Sequence, residues 1–216
     1  MCFSASASFL VGTSLLAAGA ATLNAATRKA ELPLALIPLL FGIQQLVEGG
    51  IWLGFQFDAP ALTMLLTQIY SLFSHVLWPI YVPLAILLLK PAPPHRGTII
   101  TFLWAGTAVG LYLLYILVRF PVRAELAGGH ILYASPHPYA PVAMGAYLAA
   151  TCISLLFSNR KIVVAFGVAA LLSFAAAYVF FTLWFVSVWC FFAAMLSGMI
   201  YLYFRNRVPR NAQRTP

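Results

Sequence analysis

Seven apolar stretches, separated by short polar segments, follow one another along the 216-residue chain. Each is roughly 20 residues long, which is the length of helix that crosses about 30 Å of hydrocarbon. Because lipid offers no hydrogen-bond partner, backbone N–H and C=O groups must pair within each segment, so the stretches are predicted to be α-helices. We predict spans near residues 9–26, 32–55, 62–89, 98–118, 139–157, 162–182 and 184–204.

The last two spans are the least clearly separated, because no Gly or Pro marks a turn between them. An unbroken helix from Ile162 to Phe204 would rise about 1.5 Å per residue and reach about twice the hydrocarbon thickness. The chain is therefore expected to fold back near Phe181. A six-span arrangement is the alternative.

The basic residues lie mainly on one side of this predicted bundle. Hydrophobic residues make up 63% of the chain and charged residues 7%, and the net charge is +8. Ten of the twelve basic residues follow the first, third, fifth and seventh spans: Arg28, Lys29, Lys90, Arg96, Arg160, Lys161, Arg205, Arg207, Arg210 and Arg214. Cytoplasmic loops retain Lys and Arg, so the amino terminus is predicted to lie outside the plasma membrane and the carboxyl terminus in the cytoplasm. The charge therefore indicates topology, and no nucleic-acid partner is expected.

The fold class predicted is a single all-α membrane domain of seven helices. One longer loop, residues 119–138, lies on the outer side and holds Gly128, Gly129 and several prolines. These residues predict turns, with residues 130–133 briefly extended. The loop is long enough to cover an outward-facing cavity.

A weak internal repeat relates the two halves of the chain. The pair Arg28-Lys29 stands before Trp52 as Arg160-Lys161 stands before Trp184, with an offset of 132 residues. This relation predicts a parallel 3+1+3 arrangement, in which the fourth span links two units of three.

Polar residues on the second and third spans form the main candidate site. Glu48 is the only acid well inside an apolar span, and Gln44 and Gln45 share its helical face. An ionisable group at such a depth costs a few kcal/mol on insertion scales and is usually functional or paired. The alternative is that such polar side chains only join helices by hydrogen bonds.

The third span carries a matching polar face of Gln68, Ser71 and His75. In an antiparallel pair of spans, Glu48 lies about 5 to 10 Å nearer the outside than His75. Contact between them is therefore expected through Gln44, Gln45 or water. The nearby Pro79 permits a kink that opens a polar cavity. Trp52 and Tyr70 are assigned to the outer aromatic belt.

The chain starts Met-Cys-Phe-Ser-Ala, and the second span contains Gln44-Gln45-Leu46-Val47-Glu48-Gly49. Together these segments resemble an uncharacterised family of bacterial integral membrane proteins. The resemblance covers most of the chain and implies a location in a bacterial plasma membrane, but it implies no activity. Removal of Met1 would leave Cys2 with an adjacent amine and thiol, a group that binds metals or acts as a nucleophile. The alternative is that this start is only a small-residue entry into the first span.

Cofactor chemistry is only weakly indicated. Cys2, His75, His130 and His137 are candidate ligands for zinc or copper, but their spacing matches no metal motif. Retinal is not expected, because every Lys lies at a span end. Haem held by two histidines within the membrane is not expected either, because His75 is the only His within a span.

Three functions remain open. The first is an outward-facing polar pocket that binds a small molecule, a lipid headgroup or an ion for transport or sensing, with ligand-binding residues Gln44, Gln45, Glu48, Gln68, Ser71 and His75. The second is a membrane-embedded enzyme, with or without a metal, that uses Cys2, His75 and Glu48. The third is a structural subunit of a membrane complex.

Overall fold

Seven helices make up most of the computed structural model, which describes residues 4–134 and 140–206. The first four are α1 (Ala5–Ala25), α2 (Leu32–Gln56), α3 (Pro60–Leu88) and α4 (Pro93–Arg119). The fifth, α5, is built from consecutive segments, Ala140–Leu148, Ala149–Ile153 and Ser154–Leu156, and is followed by α6 (Lys161–Phe180) and α7 (Phe185–Arg205). The seven predicted helices are thus confirmed.

Six of these helices are long and apolar enough to cross a membrane by length and composition. The exception is α5, which is apolar but shorter. The protein is therefore a helical, multi-pass membrane protein in outline, as the apolar pattern predicted.

The chain folds back between α6 and α7 without a Gly or Pro. Phe181 leaves the helical conformation, and its N–H donates to the carbonyl of Ala177. A short 3₁₀ turn, Thr182–Trp184, then leads into α7. The rings of Phe174 and Phe185 pack edge to face, with centroids 5.0 Å apart. Aromatic packing between the two helices thus accompanies the reversal that the length of the apolar run requires.

A two-stranded hairpin occupies the loop that the sequence predicted to be rich in turns. Strands β1 (Arg123–Ala127) and β2 (His130–Ala134) pair antiparallel, with Ala127 opposite His130. Gly128 and Gly129 have φ values of 57° and 77°, which suit a two-residue hairpin turn. The predicted extended residues 130–133 are thus one strand of a hairpin, and the class is all-α apart from this pair of strands.

The hairpin packs into one end of the helix bundle, called here the hairpin end. Ile131 of β2 is fully buried and lies in a cluster with Ile51, Tyr70 and Cys190. The Tyr70 ring stacks on that of Tyr133, with centroids 4.6 Å apart. Assignment of Tyr70 to an outer aromatic belt was therefore wrong, because the hairpin covers it. Trp52 packs against the same cluster.

A π-helical turn, Leu72–Leu77, interrupts α3 just before Pro79. Proline has no backbone N–H, so the π-helical pattern leaves the carbonyl of Ser74, five residues earlier, without a main-chain donor. The hydroxyl of Tyr147 on α5 donates to this carbonyl at 2.5 Å. A second π turn, Ala149–Ile153, follows in α5. The two irregular helices are therefore joined where their pitch changes.

Candidate functional site

Glu48 lies at the centre of the buried polar groups on α2. Its side chain is fully buried, at 0% exposure. The hydroxyl of Ser187 on α7 donates to Glu48 Oε1 at 2.6 Å, and Tyr133 donates to the same oxygen at 3.4 Å. The amide of Gln45, one turn earlier on α2, donates to Oε2 at 3.3 Å. Three parts of the chain thus converge on one carboxyl group.

All three of these donors are neutral. Within the described residues, no Lys, Arg or His forms an ion pair with Glu48. Arg28 and Glu31 do form an ion pair, but it lies at the opposite end of α2. Gln45 Oε1 is buried without a hydrogen-bond partner among the described residues. A rotation of this amide by 180° would present Oε1 to Glu48 in place of Nε2. Gln45 can therefore serve either a charged or a protonated Glu48.

Phe9 of α1 fixes the backbone beside Glu48. A Cβ built on Gly49 would lie 3.0 to 3.1 Å from three atoms of the Phe9 ring. The ring therefore occupies the space that a side chain at position 49 would need. The glycine allows α1 to press against α2 directly beside the acid.

Gln44 directly precedes Gln45 on α2 and is also fully buried. Its Oε1 accepts a 2.7 Å hydrogen bond from the indole of Trp78, whose ring stacks on Phe41. Its Nε2 has no oxygen or nitrogen partner among the described residues and faces the thiol of Cys190. Gln44 therefore connects α2 to α7 and to Trp78 of α3, and neither contact involves His75.

His75 lies within the π turn of α3. Its Nδ1 is 2.8 Å from the hydroxyl of Ser74, and either atom can donate, depending on the tautomer. The carbonyl of the same Ser74 accepts from Tyr147. The π turn, Ser74 and Tyr147 together orient the imidazole toward a cavity.

This cavity has a volume of about 330 Å³ and lies between α3, α5, α6 and α7. His75 and Ser74 form one polar wall, and aromatic rings dominate the rest. Trp189 is central to the ring cluster, with Phe174 edge to face at 5.2 Å and Phe185 stacked at 5.6 Å. The volume of the cavity falls within the range of small-molecule pockets, about 300 to 1,000 Å³.

Tyr133 connects the cavity to Glu48. Its side chain lines the cavity and its hydroxyl donates to the Glu48 carboxyl. Cys190, one turn from Ser187 on α7, also lines the cavity. The buried acid is thus one side chain away from a space that can hold a ligand.

The remaining predicted site residues have separate environments. Gln68 donates to the carbonyl of Val122 at 2.8 Å and so ties α3 to the start of the hairpin. Ser71 is fully buried in α3, and its Oγ has no partner among the described residues. His130 packs on Trp184, with centroids 4.8 Å apart. Cys2 and His137 lie outside the described residues.

Metal binding has no assembled ligand set within residues 4–134 and 140–206. No group of three or more His, Cys, Asp or Glu side chains is close enough there to hold an ion. Of the predicted ligands in this part, His75 borders the cavity and His130 lies on the hairpin.

Ser187, Tyr133 and Tyr147 are site residues that the sequence did not identify. Ser187 stands alone in an apolar run, three residues before Cys190, and its spacing gives only a weak signal. Tyr147 had no signal beyond its position in a span. All three make their contacts with segments far away in the chain. The local periodicity of a sequence cannot predict such contacts.

Comparisons with known proteins give a family but no activity. No curated protein and no solved structure matches the chain. Residues 1–215 match a family described as a family of unknown function (DUF6629). The chain therefore belongs to this uncharacterised family, DUF6629.

Proposed function

We propose that this protein binds a small molecule in the cavity beside Tyr133, and that Glu48 exchanges a proton as the ligand binds, for transport or sensing. The observation that carries the proposal is that one residue, Tyr133, both lines the cavity and donates a hydrogen bond to the buried acid. Gln45 supports it, because its amide can pair with either form of the carboxyl.

The geometry of the Tyr133 contact explains how a ligand would affect Glu48. At 3.4 Å this hydrogen bond is longer than the usual range for hydroxyl donors, about 2.5 to 3.0 Å. A ligand that accepts from Tyr133 or displaces its ring would withdraw this donor from the carboxyl. Ser187, at 2.6 Å, would remain in place. The ligand would thus change the stability of the charged form without a large movement of helices.

The proposal includes the orientation of the bundle. From the distribution of Lys and Arg, we place the hairpin end outside the plasma membrane and the carboxyl terminus in the cytoplasm. The resemblance to bacterial membrane proteins supports the assignment of this membrane to a bacterial cell. The cavity then lies in the outer half of the membrane. The predicted 3+1+3 repeat adds no support, because the two π turns lie in α3 and α5, which would not be equivalent members of the two units.

Labelling of single cysteines tests this orientation. In a Cys2→Ser background, cysteines at positions 57 and 128 should react with an impermeant maleimide added to intact cells. Cysteines at positions 96 and 159 should react only after permeabilisation. Cys152 and Cys190 are buried and give little background. The reverse pattern would rule out a cavity in the outer half of the membrane.

A cavity-filling variant tests ligand binding itself. Compounds from a small-molecule library that raise the unfolding temperature of the purified protein should lose this effect in Ala143→Phe, because Ala143 lines the cavity. The matched control is Ala108→Phe, which adds the same ring to an exposed position on α4. If Ala143→Phe responds to the stabilising compounds as Ala108→Phe does, the cavity is not their binding site.

The enzyme alternative has one supporting observation, the position of His75 on the cavity wall with its Nδ1 held by Ser74. It would use His75 with Glu48 and Cys2. Elemental analysis of the purified protein tests its metal-dependent form. Mass spectrometry of the amino terminus, with a Cys2→Ser variant, tests whether a free Cys2 takes part.

A further inference from the structure

The cavity reaches the protein surface on a side covered with apolar side chains. Its inner wall includes Trp189, only 8% exposed, whereas its lining residues Tyr178 and Leu183 are 49% and 68% exposed. Phe180, between them in the chain, is 75% exposed. Such side chains face lipid in a multi-pass membrane protein. The opening therefore lies in the lipid-facing surface.

The opening results from the way α5 and α6 diverge. At the end opposite the hairpin they touch closely, since a Cβ on Gly167 would lie 2.7 Å from the Cβ of Leu155. Toward the hairpin end the cavity lies between them, with Tyr147 on one wall and Phe174 on the other. Residues 140–148 of α5 make few close contacts with α6, and the cavity extends to Tyr178 and Trp184. A long molecule can thus enter between the helices without passing through water.

The lining favours a flat ring that carries hydrogen-bond acceptors. Tyr147, Phe174 and Phe185 all pack around Trp189 at centroid distances of 5.2 to 5.7 Å, in edge-to-face or stacked arrangements. A planar ligand continues this packing, because aromatic surfaces prefer such geometries. The lining also includes the imidazole of His75 and the hydroxyl of Tyr133. Both groups can donate hydrogen bonds, so they favour a ligand that carries a carbonyl or hydroxyl oxygen.

We propose that the cavity binds a membrane-dissolved amphiphile whose flat ring carries oxygen acceptors, as quinones do, and that this ligand enters between α5 and α6 from the bilayer. This inference rests on the proposed function and specifies its ligand class. The ring stacks near Trp189, its oxygens accept from Tyr133 or His75, and its apolar tail extends past Leu183 into lipid. Binding beside Tyr133 then reaches Glu48 through the hydrogen bond already described.

Tryptophan fluorescence in lipid nanodiscs tests the ligand class, with decylubiquinone as the probe. We expect saturable quenching, because Trp184 and Trp189 line the cavity. The double variant Trp184→Phe/Trp189→Phe should keep only the non-saturable quenching caused by partition into lipid. Ala143→Phe should raise the half-saturating concentration about tenfold or more, and Ala108→Phe should not change it.

Two further quenchers identify other occupants. Brominated phosphatidylcholine should quench Trp104, which is 71% exposed on α4, more strongly than the cavity tryptophans. Equal quenching at both places would mean that ordinary acyl chains fill the cavity and would overturn the inference. Iodide quenching of Trp184 and Trp189 to the extent seen for a water-exposed indole would also overturn it, since the cavity would open to water.

The result for decylubiquinone also separates this inference from the proposed function. If its quenching is never saturable, while a library compound still stabilises the protein in an Ala143-dependent way, the ligand class is wrong. Binding in the cavity would then stand. If Ala143→Phe changes neither the quenching by decylubiquinone nor the stabilisation by library compounds, both proposals fail.

Discussion

Gly106→Ala is expected to destabilise the protein strongly, by about 3 kcal/mol or more, although it adds only one methyl group. A Cβ at this position would lie 1.9 Å from the carbonyl oxygen of Pro79 and 3.0 Å from the Cβ of Ala150. Neither contact can be relieved by a side-chain rotation, because one involves backbone and the other a Cβ. The helices α3, α4 and α5 would have to separate.

The matched control for this prediction is Gly97→Ala on the same helix. A Cβ at Gly97 meets no atom within 4 Å. Alanine is favoured over glycine in helices by about 1 kcal/mol, so this variant should be as stable as the wild type or slightly more stable. Unfolding in mixed micelles, followed by circular dichroism, measures both variants. Equal stability of the two would show that α3 and α4 do not touch at Gly106.

The contact at Gly106 also positions the candidate site. Gly110, one turn later, faces the carbonyl of Val76, so two small residues four apart let α4 rest against the irregular part of α3. This part holds His75 and Ser74, whose carbonyl accepts from Tyr147. A loosened α3–α4 contact would therefore widen or distort the cavity as well as lower stability.

The helices could be predicted from the sequence because lipid imposes one strong constraint. Backbone groups must pair within a span, so apolar length alone identifies helices. The reversal at Phe181 followed from the same rule, although no turn residue marks it. The hairpin was only partly predicted, since Gly128 and Gly129 indicated a turn but the burial of Ile131 depends on tertiary packing.

The candidate site was predicted where a single residue violates the apolar pattern and was missed where partners come from distant segments. Glu48 was identifiable because an acid within a span must be satisfied by something. Its partners Ser187 and Tyr133 are 139 and 85 residues away in the chain. Nothing in the local spacing of either residue refers to Glu48.

The irregular helix α3 shows a similar limit. Pro79 indicated a break in the hydrogen-bond pattern, and a kink and a polar cavity were expected from it. The structure has a π turn there, and Tyr147 supplies the missing donor. Glu48 was expected to contact His75 through Gln44, Gln45 or water. Gln44 instead accepts a hydrogen bond from Trp78, because counting residues along two helices gives depth but not rotation.

Glu48→Gln is expected to fold with stability within about 1 kcal/mol of the wild type, since the amide keeps the shape and can still accept from Ser187. It should lose the pH dependence of ligand binding, because an amide cannot exchange a proton. The measurement is the stabilisation by a compound from the cavity screen, recorded between about pH 5 and 8.

Three further variants make this result specific to Glu48. Glu125→Gln changes an exposed acid on the hairpin and should keep the wild-type pH dependence. Tyr133→Phe keeps the acid but removes the donor that links it to the cavity, so binding should persist with a weaker response to pH. Glu48→Leu leaves the Ser187 hydroxyl and the Gln45 amide without their acceptor and should lower the free energy of unfolding by about 1 to 3 kcal/mol for each.

If Glu48→Gln instead binds the compound with the pH dependence of the wild type, the proton is exchanged elsewhere, and Glu48 serves only to join α2, α7 and the hairpin.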